Sequence, residues 1–242
     1  MFDIETIINE IDTNGVTVLR GLYPKESIDL WTKVSTNLEA FVLAKIKNKK
    51  PTGHIYTTHY DKERSTIKKS YNLDDIKVLE IGEGRLDINF KSIIDEVHTV
   101  IEAITSHFIK QHYVKSSGLL TSSKNSEDGQ WHRDVVNIDG DPDDDGNYDD
   151  SNMVHNMKPF YFTVLIPLIP LNDTNGSTEF IQGSHKLTYE ESINNKHIQF
   201  NTNIGDVIIF DGRIFHRGRA NNSENDRYVL YNIIHRDWYT EL

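Results

Sequence analysis

Two residues near the middle of the chain have the types and the spacing that suit metal binding. His132 and Asp134 stand two apart in the segment Gln130-Trp-His-Arg-Asp134. On a β-strand, alternate side chains point to the same face, so this spacing directs an imidazole and a carboxylate at one point. A His-x-Asp pair is common by chance, and a metal needs more protein ligands. The pair therefore indicates a metal centre only together with a third ligand.

The third candidate ligand is His216, which follows the turn at Asp211-Gly212. The apolar run 207–210 before that turn is typical of a buried strand. Two histidines and one carboxylate on one face of an octahedron leave three adjacent positions open, as in iron(II) oxygenases. Zinc hydrolases use the same ligand types, usually in a four-coordinate site. Ligand type alone leaves both metals open.

An arginine eleven positions beyond His216 helps to separate the two chemistries. Arg227 begins the apolar segment 227–234, and we predict that a hairpin returns this strand antiparallel beside the His216 segment. Arg227 would then face inward with Val229 and Tyr231. A guanidinium pairs in bidentate fashion with a carboxylate, and a 2-oxo acid chelated on iron would present its distal carboxylate at about that distance. Arg219 is the next candidate if Arg227 has another role.

Four further residues are candidates for contacts with the co-substrate or the substrate. Tyr161 and Thr163 share one face of the strand predicted at 159–168, and Thr121 lies on the strand before the His-x-Asp pair. Gln130 shares a face with His132. Trp131 is expected to point away from the metal.

Several motifs together resemble the phytanoyl-CoA dioxygenase family of iron(II)/2-oxoglutarate oxygenases. The resemblance covers nearly the whole chain and departs from the family pattern at Gln182, where proline is usual. The motifs are Asn14-Gly15 with the helix that follows, Gly82-Glu-Gly-Arg-Leu-Asp87, His132-x-Asp134, Asn175-Gly-Ser-Thr-Glu-Phe-Ile-Gln-Gly-Ser-His185, His216-Arg-Gly218 and Arg227.

The resemblance implies a fold, a cofactor set and a reaction. The fold is a double-stranded β-helix, or jelly roll, with helices supporting one sheet. His132, Asp134 and His216 would bind iron(II), and Arg227 would grip the C5 carboxylate of 2-oxoglutarate. The enzyme would use O₂ to hydroxylate an unactivated C–H bond and release succinate and CO₂, with ascorbate helpful in assays. Related halogenases have a small residue at the position of Asp134, so the resemblance argues against halogenation. His185 is expected to be structural.

The pattern of elements agrees with an α+β or mainly β protein. A short strand is expected at 16–19, and helices are expected at 25–44 and 91–112. From residue 113 onward, short β-rich runs alternate with turn residues, which is typical of an antiparallel sandwich or barrel. The predicted strands are 117–122, 130–137, 159–168, 177–182, 206–210 and 227–234. We predict one domain, 1–242, with 1–112 mostly helical support and substrate-covering segments and 113–242 the jelly-roll core.

Composition narrows the partners. The net charge is −11 and cysteine is absent, which disfavours nucleic acid and anionic membranes as partners and excludes thiolate metal sites. The N-terminus lacks the features of a secretory signal and no apolar run is long enough to span a bilayer, so a cytoplasmic location is expected. Segment 45–69 has eight Lys or Arg against two acids. It is either a solvated face or a cover that attracts an anionic small-molecule substrate.

The acidic segment 139–150 has the odd-numbered acid spacing of a calcium loop, but position twelve of that loop is Asn152 rather than glutamate. A solvated surface loop is favoured over a Ca(II) site at 141–152. Two rival functions also stay open, namely a non-catalytic metal-binding jelly-roll protein and a zinc-dependent hydrolase. Arg227 favours the oxygenase, because neither rival needs a cation for a dicarboxylate.

Overall fold

The computed structural model describes residues 2–57, 66–90, 97–110, 113–135 and 154–239. The helices are α1 (Ile4–Asn14), α2 (Lys25–Ile46), α3 (Thr99–Phe108) and α4 (Tyr189–Ser192). The strands are β1 (Val16–Leu19), β2 (Gly53–Thr57), β3 (Thr66–Leu73), β4 (Ile76–Gly82), β5 (Arg85–Asn89), β6 (Tyr113–Ser122), β7 (Tyr161–Pro167), β8 (Thr178–Ile181), β9 (His197–Gln199), β10 (Val207–Asp211), β11 (His216–Gly218) and β12 (Arg227–Arg236).

The strands form two antiparallel sheets that face each other. The major sheet has the order β1-β10-β7-β12-β6-β5-β4-β3-β2, and the minor sheet has the order β11-β8-β9. The sheets meet through aromatic side chains, since the rings of Phe180 on β8 and Phe210 on β10 lie 5.1 Å apart between centroids. The predicted jelly roll with supporting helices is confirmed.

The two faces of the major sheet bury different partners. Along β7, Phe162 and Val164 pack in the cluster that contains Ile28 of α2 and Ile101 of α3, whereas Leu165 packs towards the minor sheet. Because successive side chains of a strand alternate between faces, β7 can be buried on both sides. We call the side of the helices the outer face and the side of the minor sheet the inner face.

The structure corrects several predicted boundaries. The helix expected at 91–112 begins at Thr99, where the His98 side chain accepts a hydrogen bond from the backbone N–H of Val100, and it ends at Phe108. The helix expected at 25–44 is confirmed as α2. No strand extends over 130–135; in that described stretch only His132 forms a β-bridge, to His216.

The first 112 residues contain more β-structure than predicted. Strands β2 to β5 pair in succession and join the major sheet through β5 and β6. This half, expected to be mostly helical, therefore combines helices α1 to α3 with strands β1 to β5. That the whole chain forms one domain stays a prediction.

Two sequence features lie wholly or partly outside the described residues. They are the calcium candidate, with segments 139–150 and 141–152, and residues 58–65 of the basic segment 45–69. Among the described residues, none of the helices has both the length and the apolar character needed to cross a membrane.

The turn before β10 offers a test of the packing between that strand and the start of α2. Gly205 and Gly21 both have positive φ, 87° and 62°, but a Cβ atom at Gly205 would lie 2.1 Å from the backbone oxygen of Tyr23, whereas one at Gly21 would meet nothing within 4 Å. We expect Gly21→Ala to cost about 1 kcal/mol of folding free energy for the left-handed backbone alone. Gly205→Ala should cost about 3 kcal/mol or more, because the backbone must also move. Urea denaturation of both variants measures the difference, and equal losses would contradict the packing described.

Candidate metal centre

The two histidines of the site are held together by their own backbone. The N–H of His132 donates to the carbonyl of His216 at 3.0 Å, and the N–H of His216 donates to that of His132 at 2.9 Å. Residues paired in this way present their side chains on the same side of the ladder. The imidazole rings accordingly lie 4.3 Å apart between centroids.

Each imidazole is oriented by a carbonyl two residues earlier. Nδ1 of His132 lies 2.8 Å from the oxygen of Gln130, and Nδ1 of His216 lies 3.1 Å from the oxygen of Ile214. Because a carbonyl only accepts hydrogen bonds, Nδ1 carries the proton and the lone pair of the neutral ring is on Nε2. Both histidines therefore present Nε2 as the donor atom for a metal.

Asp134 completes a cluster of three donor atoms. Its Oδ1 lies 3.3 Å from Nε2 of His216 and 3.9 Å from Nε2 of His132. Its backbone N–H donates to the carbonyl of Gly212, and its Oδ2 accepts a hydrogen bond of 2.5 Å from Oγ1 of Thr163. One carboxylate oxygen is thus held by β7 while the other faces the histidines. Among the described residues, these three form the group of His and acid side chains that could hold a metal, with ligand atoms within 4.8 Å of one another.

The electrostatics of the cluster favour a bound cation. Burial alone would raise the pKa of Asp134, but the nearby His216 and His132 and the hydrogen bond from Thr163 outweigh it and lower that pKa. Burial alone would lower the pKa of His216, but Asp134 outweighs it and raises that pKa. The ionised carboxylate therefore attracts positive charge, either a proton on His216 or a metal.

The walls of the site differ on its two sides. His216 is buried, with its ring against Phe210 at 4.7 Å and Phe180 at 5.8 Å between centroids. The side chain of His132 is 49% exposed. The aromatic side keeps water away from the ligands, and the His132 side is open to incoming molecules.

Arg227 faces inward on β12, as predicted, but it approaches the histidines by another route. The strand β12 pairs with β6 and β7, and β11 pairs with β8, so the predicted hairpin beside His216 is wrong. The guanidinium instead crosses between the sheets. Its Nη2 lies 3.6 Å from the position that a Cβ atom would take at Gly218, two residues after His216.

A second arginine, to which the sequence assigns no role, lies beside Arg227. Arg85, Ser122 and Arg227 stand directly opposite one another on β5, β6 and β12. Nη1 of Arg85 lies 2.5 Å from the Cβ position of Gly218, so both guanidinium groups converge on a residue that has no side chain. Only the strand register reveals this neighbour, because Arg85 is 142 positions before Arg227 in the chain (227 − 85 = 142).

The two arginines are held by neutral groups. Arg227 donates to the carbonyls of Asn175 and Gly176 and to Oγ of Ser122, and Arg85 donates to the carbonyls of Glu127 and Arg219. In the described part of the chain neither forms an ion pair with a carboxylate. Burial and the adjacent Arg85 lower the pKa of Arg227 to about 9. Burial lowers the pKa of Arg85 too, but the nearby Asp128 partly opposes that shift. Arg227 has no such carboxylate in the described part of the chain, so its guanidinium is a preformed place for an anion, since buried charge without a counter-ion is costly.

A sequence profile described as phytanoyl-CoA dioxygenase (PhyH) matches residues 11–229, most of the chain. The protein belongs to the phytanoyl-CoA dioxygenase family. Among individual relatives, the uncharacterized protein YJR154W of Saccharomyces cerevisiae is 37% identical over 65 residues, which are 25% of this chain and 19% of the yeast protein. That match spans less than a fifth of the relative's length.

Several solved structures have a fold similar to that of this protein. AviO1 from Streptomyces viridochromogenes is 14% identical and covers 100% of this chain and 98% of its own, with a TM-score of 0.61. HygX from Streptomyces hygroscopicus, with nickel, 2-oxoglutarate and hygromycin B bound, is 15% identical over 98% of this chain and 88% of its own, with a TM-score of 0.60. The epimerase SnoN, in complex with Fe³⁺, alpha ketoglutarate and nogalamycin RO, is 11% identical over 96% and 83%, with a TM-score of 0.62. At such identities the likeness shows the shared fold.

Of the other residues predicted to line the site, some face it and some do not. Thr121 pairs with Tyr228, which packs against the helix side, so the Thr121 side chain points to the outer face. Its predicted contact with the co-substrate is therefore wrong, and the next residue, Ser122, faces the site. Thr163 faces the site but binds Asp134. The ring of Tyr161 stacks on His235 and contacts the ring of Tyr239 edge to face.

Three other residues near the triad have mainly structural contacts. Gln130 contributes its backbone carbonyl to His132, while its Oε1 is buried with no hydrogen bond among the described residues. The indole of Trp131 packs with Ile181 and Phe215, and Cζ of Arg217 lies 4.6 Å from its ring centroid. Arg219 pairs with Glu179 at 3.0 Å and with Asp128 at 3.3 Å, so Arg227 is the better anion ligand.

The hydrogen bond from Thr163 to Asp134 should set metal affinity. Thr163→Val keeps the shape of the side chain but removes the donor, so we expect the affinity for a divalent metal to fall roughly 10–100-fold. Thr163→Ser keeps the hydroxyl and is the matched control. Calorimetric titration of the metal-free protein with Co(II) measures both, and an affinity of the valine variant within twofold of the wild type would contradict this role.

The environment of His185 should make the folding stability depend on pH. It is buried, its Nε2 lies 3.2 Å from the carbonyl of Asp12, and burial lowers its pKa. An unfolded histidine titrates near pH 6.5, so below that pH the unfolded chain gains a proton that the folded chain resists. The stabilising effect of a neutral His185 is therefore present above about pH 6.5 and is lost as the pH falls towards the lowered folded value.

Substituting this histidine should make stability less sensitive to acid. We expect His185→Gln to lose less unfolding free energy between pH 7 and pH 5 than the wild type, measured by urea denaturation at each pH. His107→Gln, an exposed site on α3, is the control. Parallel losses in all three proteins would show that His185 does not titrate in this way.

Proposed function

We propose that this protein is an iron(II)- and 2-oxoglutarate-dependent oxygenase that hydroxylates an unactivated C–H bond of a small molecule. His132, Asp134 and His216 would hold iron, and Arg227 would bind the distal carboxylate of 2-oxoglutarate together with Ser122. The observation that carries the proposal is the convergence of the three ligand atoms beside a buried pair of guanidinium groups.

The donor set fits iron(II). Two imidazole nitrogens and one carboxylate oxygen on one side of the ion are the ligands of the facial triad, which leaves positions for a chelating co-substrate and O₂. When bound, iron with 2-oxoglutarate supplies the oxidising chemistry, in which O₂ is consumed, succinate and CO₂ are formed and a substrate carbon is oxidised. The residues of the chain bind, orient and shield these partners.

The arginine pair fits the far end of the co-substrate. Gly218 lies two residues after His216, about 7 Å along the strand, and a dicarboxylate that reaches from the metal to Arg227 has a comparable length. Arg85, Arg227 and Ser122 form a cradle in which Oγ of Ser122 accepts a hydrogen bond of 2.9 Å from Nη2 of Arg227. Arg85 adds a second positive charge. A carboxylate there would relieve the repulsion between the two cations.

The other residues of the site have supporting roles. Thr163 fixes the carboxylate of Asp134, so that one oxygen stays directed at the metal position. Phe180 and Phe210 pack against His216 and exclude water from one side. The exposed side of His132 is the place for the substrate to enter.

Neither rival function accounts for the cradle. A zinc hydrolase or a non-catalytic metal protein uses the triad but has no use for two buried arginines beside it. Hydroxylation is proposed as the outcome because it requires no group beyond those named. One of the similar structures is an epimerase, so product analysis must accompany the assay.

The cradle gives the sharpest test of the co-substrate. Arg227→Ala should raise the apparent KM for 2-oxoglutarate at least about 30-fold, the equivalent of 2 kcal/mol, and Arg85→Gln should raise it by a smaller factor because Arg227 remains. Succinate release with iron(II) and ascorbate, and the rise in Tm caused by 2-oxoglutarate on zinc-loaded protein, measure the effect in two independent ways.

Arg219→Gln is the matched control, because Arg219 pairs with Glu179 and Asp128 on the opposite side of β11. It should leave the KM for 2-oxoglutarate unchanged. If 2-oxoglutarate neither stabilises the wild type nor is converted to succinate, the oxygenase proposal is wrong. If Arg219→Gln has the larger effect, the distal carboxylate binds elsewhere.

A further inference from the structure

We propose that two copies of this protein pair through helix α2, which lies antiparallel to α2 of the second copy across a two-fold axis. The contact surface is an exposed apolar stripe on α2 made of Leu30, Val34 and Phe41, which we call the α2 stripe. The proposal is independent of the proposed function, because it depends on the side of α2 that faces away from the sheets.

Helix α2 has apolar residues on two opposite sides. One side packs on the outer face of the major sheet, and its buried residues include Ile28 and Val42. The α2 stripe lies on the other side, where Leu30 is 60% exposed, Val34 is 39% exposed and Phe41 is 49% exposed. A surface helix normally presents polar side chains opposite its buried side. A second apolar side is therefore a candidate contact surface.

The three residues of the α2 stripe form one continuous patch. Val34 is about one helical turn from Leu30, and Phe41 is about three turns from it, so all three share one side over about 16 Å. They are three of the five large apolar side chains that are exposed among the described residues. Scattered exposed apolar residues are common, but an aligned group is typical of an interaction surface.

The charged residues at the two ends of the α2 stripe indicate which partner fits it. Glu26 lies four residues before Leu30, and Lys45 lies four residues after Phe41. Both are exposed, and neither forms an ion pair in the described part of the chain. The ammonium of Lys45 lies over the ring of Phe41, 5.3 Å from its centroid. The stripe thus has an acid at one end and a base at the other, equally spaced from its two largest residues.

A second copy placed antiparallel on this surface matches both ends at once. With the two-fold axis midway along the α2 stripe, Leu30 of each copy faces Phe41 of the other. The same placement brings Glu26 of each copy within side-chain reach of Lys45 of the other. A two-fold interface requires a surface that is complementary to itself. The α2 stripe with its two charged ends meets this requirement.

The centre of the pairing contains a polar residue. Asn37 lies three residues after Val34 on the same side of α2 and is exposed. Beside the two-fold axis, the Asn37 amides of the two copies can donate to and accept from each other. An asparagine between paired helices fixes their alignment at a cost in stability. We therefore expect one defined alignment and a weak dimer, because a single helix face buries less area than a standard interface.

A membrane fits the α2 stripe less well than a second copy does. Helices that lie on membranes usually carry Lys and Arg on their polar side, whereas the exposed side of α2 includes Glu26 and Asp29. The net charge of −11 also opposes contact with anionic lipids. Pairing of two copies leaves the candidate metal centre accessible, because α2 packs on the outer face of the major sheet and the centre lies on the inner face.

Sedimentation equilibrium over about 1 to 500 µM protein measures the pairing. We expect the mean mass to rise from the 28.0 kDa of one chain towards twice that value, with a dissociation constant on the order of 10–100 µM. Leu30→Glu should raise that constant at least about tenfold. Leu43→Glu is the matched control, because Leu43 is 47% exposed but lies two residues from Phe41 and so on another side of the helix. It should change the constant by less than about twofold.

Charge reversal tests which groups meet at the ends. Glu26→Lys and Lys45→Glu should each weaken self-association about fivefold, because each creates two like-charge contacts. The variant that carries both changes should regain the affinity of the wild type, since every contact is again between opposite charges. Both positions are exposed, so this comparison remains valid even if Leu30→Glu folds poorly.

Cysteine cross-linking tests the antiparallel orientation. The chain contains no cysteine, so a single introduced thiol reports on one position. Val34→Cys, close to the two-fold axis, should form a disulfide-linked dimer under mild oxidation. Glu26→Cys should not cross-link to itself, because the two copies of this residue would be about 28 Å apart along the paired helices.

Several results would overturn the proposal. They are a monomer at every concentration, equal association of Leu30→Glu and Leu43→Glu, failure of the double charge reversal to restore pairing, or self-cross-linking of Glu26→Cys. Co-sedimentation with phosphatidylcholine or phosphatidylserine vesicles that Leu30→Glu abolishes, without any dimer in solution, would identify the α2 stripe as a membrane contact and would also overturn it.

Discussion

The pair of backbone hydrogen bonds between His132 and His216 is the constraint on which the whole site depends. His132 lies outside any strand, so these two bonds, with those from Asp134 to the carbonyl of Gly212 and from Gly129 to the carbonyl of Gly218, tie the ligand-bearing segment to the end of β10 and to β11. Short backbone contacts of this kind fix Cα positions without using the side chains. The imidazoles and the carboxylate are thereby left available for a metal, and the carbonyls of Gln130 and Ile214 set the orientation of each ring.

The site has two charged regions, one that favours a cation and one that favours an anion. Around Asp134, a negative group attracts a cation and is kept ionised by its neighbours. Near Gly218, the guanidinium groups of Arg85 and Arg227 place two positive charges close together, which favours binding of an anion. A molecule that is chelated at one end and carries a carboxylate at the other satisfies both regions at once. Each region alone is electrostatically incomplete, which is why the arrangement favours a co-substrate over a simple structural metal.

The sequence predicts those parts of the fold and site that depend on local periodicity. The two-residue spacing of His132 and Asp134 gives the correct shared direction even though the strand expected at 130–137 is absent, because extended backbone alternates its side chains with or without a ladder. Helix α2 follows from its apolar pattern. The motif Gly82 to Asp87 is visible as a resemblance, but nothing local tells that Arg85 turns towards the site.

Strand register is the physical reason why some side chains were predicted on the wrong side of the sheet. Thr121 and Ser122 are neighbours in the chain with similar chemistry, and only the pairing of β6 with β12 decides which of them faces Arg227. The same pairing decides that Tyr231 lies over Gly118 and reaches β5. Register arises from long-range contacts between segments more than a hundred residues apart, so it cannot be read from periodicity. The strands that widen the major sheet thus bring polar residues to a face whose centre is apolar, and register alone decides which of their side chains share the face of the candidate metal centre.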